Sequence, residues 1–224
     1  AGGNVTITGS VGGDAKVGDT VTLTVNGASY TGVVGAGLTF AIPVAGSDLV
    51  ADADATIDAS VTTTDAAGNV ATATDTEGYT VDLSTPAVAV DIVDAALNVA
   101  DTQSQVTFTF TEAPVGFTAA DISATGGTIS GFSATGDPKV FTATFTATAG
   151  VTVGGSVTVA AGSYTNAAGN LGTGGGDTVA IDTQAPVPTI TLAANVTADD
   201  IVNAAEAGGN VTITGSVGGD AKVG

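Results

Sequence analysis

TVTLTVNGASYTGVV, residues 20–34, is a pair of alternating runs held apart by Asn26-Gly27. Val21, Leu23 and Val25 alternate with threonines, the period of a strand with one wet face. Asn-Gly between two such runs is a strong hairpin signal, because both residues accept the positive φ of a type I′ turn. The same period extends outward. Residues 4–12 (NVTITGSVG) read as a strand, residues 14–18 as a turn, and residues 38–44 as a strand whose Pro43 suits a sheet edge. Residues 56–64 and 70–81 form a further hairpin around Asp65-Ala66-Ala67-Gly68-Asn69.

The pattern breaks at Asp82-Leu83-Ser84-Thr85-Pro86, and the same punctuation returns 100 residues later as Asp182-Thr183-Gln184-Ala185-Pro186. Short, proline-ended and free of Gly/Ser runs, these stretches read as stiff linkers. Between them, strands are predicted at residues 87–92, 105–111, 140–148, 156–165 and 177–182. Residues 118–121 are the one predicted helical turn. Asn166-Ala167-Ala168-Gly169-Asn170 is the counterpart of the 65–69 loop, 101 residues on. About seven short alternating strands per domain, with Gly/Asn/Asp turns, predict an all-β chain of tandem immunoglobulin-like β-sandwich domains. The antibody disulfide and tryptophan are missing, so only the architecture carries over. Val5, Ile7, Leu23, Val25, Phe40, Ile57, Val61 and Val81 are expected in the first core, and Phe108, Phe110, Phe141, Phe145, Val159 and Ile181 in the second.

A third start follows Pro186, with a strand expected at residues 189–193. The chain then repeats itself: AGGNVTITGSVGGDAKVG occupies residues 1–18 and returns, letter for letter, at residues 207–224, a period of 206 residues. Such periodicity marks a tandem array. Shifting the second domain by 105 residues lays Asp94 on Asp199, Asn98 on Asn203, Asp101 on Glu206 and Phe108 on Ile213. The expected domains are residues 1–83, an Ig-like sandwich lacking its first strand; 86–183, a complete sandwich of a second class; and 186–224, the N-terminal fragment of the next copy of the first.

Composition narrows the function. The chain has no His and no Cys, and only three cationic side chains against 22 acidic ones, for a net charge of −19. Without His or Cys the commonest general bases, thiol nucleophiles and zinc ligands are missing, and enzymatic activity is not expected. The charge argues against nucleic acid and anionic membranes. No run of 18 apolar residues is present, so no membrane insertion is expected. Nineteen of the 22 acids are Asp, which suits turns and oxygen-ligand cation sites.

KVGDTVTLTVNGASYTGVV with TTTDAAGNVATATDTEGYTVDLSTP resembles the bacterial immunoglobulin-like repeats of giant surface adhesins. QVTFTFTEAPVGFTAADISATGGTISGF resembles a second class of such repeats, and their alternation is similar to the extender region of biofilm-associated RTX adhesins. The resemblance implies type I secretion, an extracellular place on the bacterial cell surface, a spacer role, and Ca²⁺ held mainly where one domain meets the next.

Sandwich topology supplies candidate ligands for that ion. The first interstrand loop and the end of the last strand lie at one end of each domain, and the last hairpin loop at the other. Asp94, Asn98 and Asp101, with Asp182 in the linker, form one set; Asp199 and Glu206 are their counterparts in the next copy. Asp82 is expected to meet the Asn166 and Asn170 loop, and Asp65 and Asn69 represent the same loop in the other class. Oxygen donors of this kind suit Ca²⁺. Each piece also has a bland reading: Asx turns without an ion, with Gly68 and Gly169 supplying positive φ, and solvated caps before prolines. The Thr-x-Thr runs, such as Thr142, Thr144 and Thr146, invite an ice-lattice reading, but outward faces of half-buried strands explain them.

The expected function is a structural extender whose partners are the neighbouring Ig-like repeats, stiffened by Ca²⁺. The alternative is a glycan- or surface-binding module, disfavoured by the absence of Trp and the presence of only three Tyr. Residues 186–224 are further expected to associate head to tail with the first domain of another copy, adding a strand to its open edge.

Overall fold

The computed structural model, which describes residues 2–223, begins with β1 (Asn4–Ser10), β2 (Thr20–Val25), β3 (Ala28–Val33) and β4 (Thr39–Ala45). A short helix α1 (Gly46–Ala51), β5 (Thr56–Thr64) and β6 (Val70–Gly78) complete the first of two units, Ala1–Leu83. Asn26 (φ 49°) and Gly27 (φ 74°) turn the chain between β2 and β3 in the left-handed region that the hairpin requires. The strands form two sheets, β1-β4 and β3-β2-β5-β6. Val21, Leu23, Val25, Val34, Ile42, Val44 and Ile57 are buried between them, with Ile7, Phe40 and Val61 packed alongside. Pro43 sits on β4, which among the described residues pairs with β1 alone.

Two expected core residues are not in the core. Val5 and Val81 are exposed. Their positions in the alternation are inward, but among the described residues no strand pairs with β1 on its outer side, and the ladder of β6 ends at Gly78, short of Val81. The helix α1 was not expected either. It is held by tertiary contacts: Tyr30 donates to Asp48, while the Tyr79 hydroxyl reaches the Leu49 carbonyl (2.8 Å) and the Asp52 carboxylate (2.9 Å).

The second unit, Ser84–Gly224, contains β7 (Val88–Ile92), β8 (Ala96–Asn98), β9 (Gln103–Phe110), a single 3-10 turn (Ala119–Asp121), β10 (Ile122–Thr125), β11 (Gly127–Ala134), β12 (Val140–Ala147), β13 (Thr152–Val159) and β14 (Gly175–Asp182). The 3-10 turn starts where sequence places it, because the Asp121 carboxylate accepts the Thr118 N–H (2.7 Å) and hydroxyl (2.9 Å). Two four-stranded sheets, β11-β12-β9-β7 and β10-β13-β14-β8, enclose a core rich in aromatic rings. Phe110 packs edge-on against Phe117 (4.8 Å) and Tyr164 (4.9 Å). Phe108, Phe145, Val159 and Ile181 are buried, and Phe141 packs against the same cluster. No residue beyond Ile181 belongs to either core among the described residues.

The remaining strands, β15 (Pro188–Leu192) and β16 (Gly215–Gly219), pair antiparallel as a separate two-stranded sheet. The duplicated segment therefore has two structures. In its first copy residues 4–10 form β1 against β4; in its second the strand falls at residues 215–219, equivalent to 9–13, against β15. The same residues thus pair with β4 in one copy and with β15 in the other. Among the described residues no helix is long and apolar enough to cross a membrane.

Candidate metal centre

At one end of the second unit, β8 lies parallel to β14, and this register sets Asn98 beside Asp182. Asn98 closes a tight turn: its Oδ1 accepts the N–H groups of Ala100 (2.8 Å) and Asp101 (3.1 Å), and its own N–H donates to the Asp101 carbonyl (2.8 Å). Asp101 is thereby fixed one turn from Asn98. The Asp182 carboxylate accepts the Thr152 hydroxyl (2.9 Å) through Oδ1. Asp94 is half-buried, its N–H given to Ser104 Oγ (3.0 Å).

The 166–170 loop is organised around a buried amide. Asn166 Oδ1 accepts the N–H groups of Ala168 (3.1 Å) and Asn170 (2.9 Å), and Gly169 takes φ 87°. Its Nδ2 donates to the Ser84 carbonyl (3.2 Å) and to Glu112 Oε2 (3.0 Å). Both lone pairs of the amide oxygen are used within the loop, so Asn166 assembles this place rather than offering it an oxygen. What it gathers are the Ser84 carbonyl and the half-buried Glu112 carboxylate. Glu112 was missed in the sequence, where it stands in Thr-Glu-Ala-Pro with no acidic neighbour.

In the first unit Asp65 plays the part of Asn166. Its Oδ1 accepts the Ala67 (2.9 Å) and Asn69 (2.8 Å) N–H groups and its Oδ2 the Asn69 amide (2.9 Å), with Gly68 at φ 88°. The Asn69 amide first, then its backbone N–H, hold the Asp65 carboxyl below the usual carboxylate range. Asp82 is exposed in the segment past β6.

Glu206 ends a turn, 203–206, of the same design as 98–101, and Asp199 lies in the turn before it. Asn203 Oδ1 accepts the N–H groups of Ala205 (3.0 Å) and Glu206 (3.2 Å), the positions equivalent to Ala100 and Asp101, while Glu206 accepts the Asn203 N–H (3.0 Å). Asp199 accepts the Ile201 N–H and the Thr197 hydroxyl, which keep its carboxyl low.

Every donor gathered in these places is an oxygen, the chemistry of a hard cation and not of a transition metal. Among the described residues, no three His, Cys, Asp or Glu side chains come together as a ready-made cage.

A bacterial Ig-like domain profile matches residues 82–183. A bacterial ice-binding adhesin of 1.5 MDa, whose structure bears on retention at the host cell surface, is 31% identical over 97% of this chain and 69% of its own, with a TM-score of 0.54. The chain belongs to the bacterial Ig-like domain family. Another member, the Ca²⁺-stabilized adhesin with which an Antarctic bacterium reaches out and binds ice, is 34% identical over 97% of this chain, with a TM-score of 0.63; the present Ig-like chain spans 53% of that structure. An Ig-like domain of the M. primoryensis ice-binding adhesin is 48% identical over 36% of this chain and 78% of its own, with a TM-score of 0.34. No protein of curated function matches. These Ig-like repeats are homologous to repeats of ice-binding adhesins.

Proposed function

We propose that this bacterial Ig-like chain is an extender segment of a secreted surface adhesin, stiffened by Ca²⁺ where consecutive domains meet. In this reading residues 1–83 and 86–183 are alternating sandwich classes and residues 186–224 begin the next copy of the first. The single observation that carries it is the parallel register that puts Asn98 beside Asp182, with Asp101 fixed one turn away. A linker carboxylate and a first-loop turn thus share one end of a domain, as a spacer with a junctional ion needs.

Asp94, Asp101 and Asp182 would hold the ion at that end, and Asp199 and Glu206 their equivalent set. Asp82, Glu112 and the Ser84 carbonyl would serve the other end, where Asn166 and Asn170 shape the loop, as Asp65 and Asn69 do in the first class. Ca²⁺ takes six to eight oxygens, and in this reading the neighbouring repeat contributes to the set. Bound Ca²⁺ supplies positive charge that offsets carboxylate repulsion. Without that charge the acids at each junction repel, and the linker is freer to bend. The Ca²⁺ stabilisation of the Antarctic homologue supports this reading. Head-to-tail self-association through residues 186–224 belongs to it as well.

Calcium titration by calorimetry, with small-angle scattering in calcium and in chelator, tests the proposal. Saturable binding and a longer, narrower particle in calcium are expected. Absence of binding, or identical scattering in both conditions, overturns it.

A further inference from the structure

Asn4-Val5-Thr6 opens β1, and the same triplet returns as Asn210-Val211-Thr212. Asn-x-Ser/Thr, with x other than proline, is the acceptor triplet for an N-linked sugar. A strand presents such a triplet well, because residues i and i+2 share a face. Ile7 packs against the first core, so Asn4, Thr6 and Thr8 take the opposite face of β1, and all three are exposed. The ground beside them is low. Across the ladder to β4, Asn4 lies opposite Ala45, Thr6 opposite Pro43 and Thr8 opposite Ala41. Three small side chains leave the Asn4 amide uncovered from that side.

The other asparagines divide by the work they do. Asn98, Asn166 and Asn203 accept backbone N–H groups to close turns, Asn69 donates to Asp65, and Asn26 turns the β2–β3 hairpin. None of these five has Ser or Thr two residues on. Asn4 and Asn210 stand outside those turns and are exposed. A third triplet, Asn195-Val196-Thr197, differs from them: its Thr197 hydroxyl is already spent on Asp199 Oδ1 (3.1 Å) and the Ile201 carbonyl (3.1 Å).

The second unit supplies the comparison. An offset of 101 residues lays Asn4-Val5-Thr6 on Gln105-Val106-Thr107 of β9, the same triplet with its amide one carbon further out. There β9 has β12 on one side and β7 on the other, and Gln105 is still exposed while Val106 is buried. Outward exposure at this position therefore belongs to the sandwich itself.

We propose that Asn4, with Asn210 as its copy, is the attachment site of an N-linked sugar, its outward amide meeting a glycosyltransferase with the Thr6 hydroxyl beside it. The donor is a sugar activated at C1 as a diphosphate ester. The bond from Asn4 Nδ2 to C1 forms as the bond from C1 to the diphosphate oxygen breaks. The diphosphate leaves with that electron pair, and one amide proton passes to a base of the transferase. The product is bulky and strongly hydrated, and it marks the first sandwich class alone. This goes beyond the spacer reading and does not depend on calcium.

With three lysines and no arginine, cleavage after lysine yields residues 1–16, 17–139 and 140–222. Mass spectrometry of these peptides, from chain recovered from the bacterium that makes it, tests the site. Sugar is expected on Asn4 in the first and on Asn210 in the third. The second, which holds Gln105-Val106-Thr107 and Asn26, Asn69 and Asn98, is expected to be bare. Asn4→Gln copies the second class, so the strand is kept; it is expected to strip residues 1–16 while Thr6, Thr8 and Ser10 remain. Thr6→Ser is expected to keep the sugar and Thr6→Ala to lose it. Gln105→Asn is expected to bring sugar onto residues 17–139. Bare residues 1–16 in the parent, sugar that survives Asn4→Gln, or a bare Gln105→Asn peptide each overturns the proposal. Cell fractionation reads the surface role separately: sugar on chain held inside the cell upholds the site and overturns that role, whereas bare chain at the surface does the reverse.

Discussion

Asn98 and Asp182 are register neighbours in parallel strands, the one closing a turn and the other ending the last strand of its sandwich. Asp182 is exposed, and its Oδ1 accepts the Thr152 hydroxyl and the Gln184 N–H (3.3 Å). Asp182→Ala is therefore expected to cost the fold about 1 kcal/mol or less, the scale of an exposed hydrogen bond. The same substitution is expected to blunt the lengthening of the particle in calcium. Denaturant melts in chelator measure the first quantity and paired scattering curves the second.

Asn166 presents the opposite balance. It is buried, and its amide both accepts from the loop and donates to Ser84 and Glu112. Asn166→Ala would leave two backbone N–H groups and the Ser84 carbonyl to find new partners. The expected loss is about 2–3 kcal/mol, the scale of orphaned buried polar groups. Chemical denaturation followed through the second unit checks it, with Asn170→Ala as the milder comparison.

What the sequence made legible was local. Asn26-Gly27, the Thr-alternating strands and the Thr118–Asp121 cap each rest on contacts within a few residues, and the structure places them as expected. Exposure of Val5 and Val81 was not legible, because alternation gives the face a side chain points to and not whether anything covers it. α1 has no apolar period of its own and depends on Tyr30 of β3 and on Tyr79, just past the end of β6. Glu112 joined the candidate site only through Asn166, 54 residues on. The Asx turns at 98 and 203 lay within reach of sequence because their donors and acceptors are neighbours.

The 65–69 loop makes a pH prediction. The Asp65 carboxyl is held below its ordinary value of 3.8 by the Asn69 amide and backbone. A depressed folded pKa gives stability that is present above the unfolded value and lost as pH falls through the folded one. Asp65→Asn copies the sister loop of Asn166 and removes the titration. The variant is expected to melt below the parent at neutral pH, with the difference closing in acid; melting temperatures across that range measure it.

The alkaline limb has the reverse sign. Burial first, then the Asp52 hydrogen bond, push Tyr79 up to about 12 from 10.0. A raised folded pKa gives stability fully present below the unfolded value and lost as pH rises through the folded one. Tyr30 and Tyr164 are also raised, by the Asp48 hydrogen bond and by burial respectively. With no Trp in the chain, tyrosinate absorbance is unobstructed. Native protein is expected to titrate later than denatured protein, and Asp52→Asn is expected to bring Tyr79 down.

β1 and residues 80–82 can be given further strand partners within one chain. A copy of residues 186–206 placed ahead of Ala1 creates a Glu–Ala junction that already exists at Glu206-Ala207. The added strands would then reach β1 and residues 80–82 from the same polypeptide. Covering Val5 and Val81 buries apolar surface that is now wet, and a larger buried area steepens the denaturant dependence of unfolding. The extended chain is expected to unfold its first unit at higher denaturant with a larger slope. Val5→Ala supplies the internal control: near-neutral in the parent, it is expected to cost about 1–2 kcal/mol once the residue is buried, at ~0.8 kcal/mol per buried methylene-sized group. An equal effect of Val5→Ala in both chains would show that the added strands do not lie over β1.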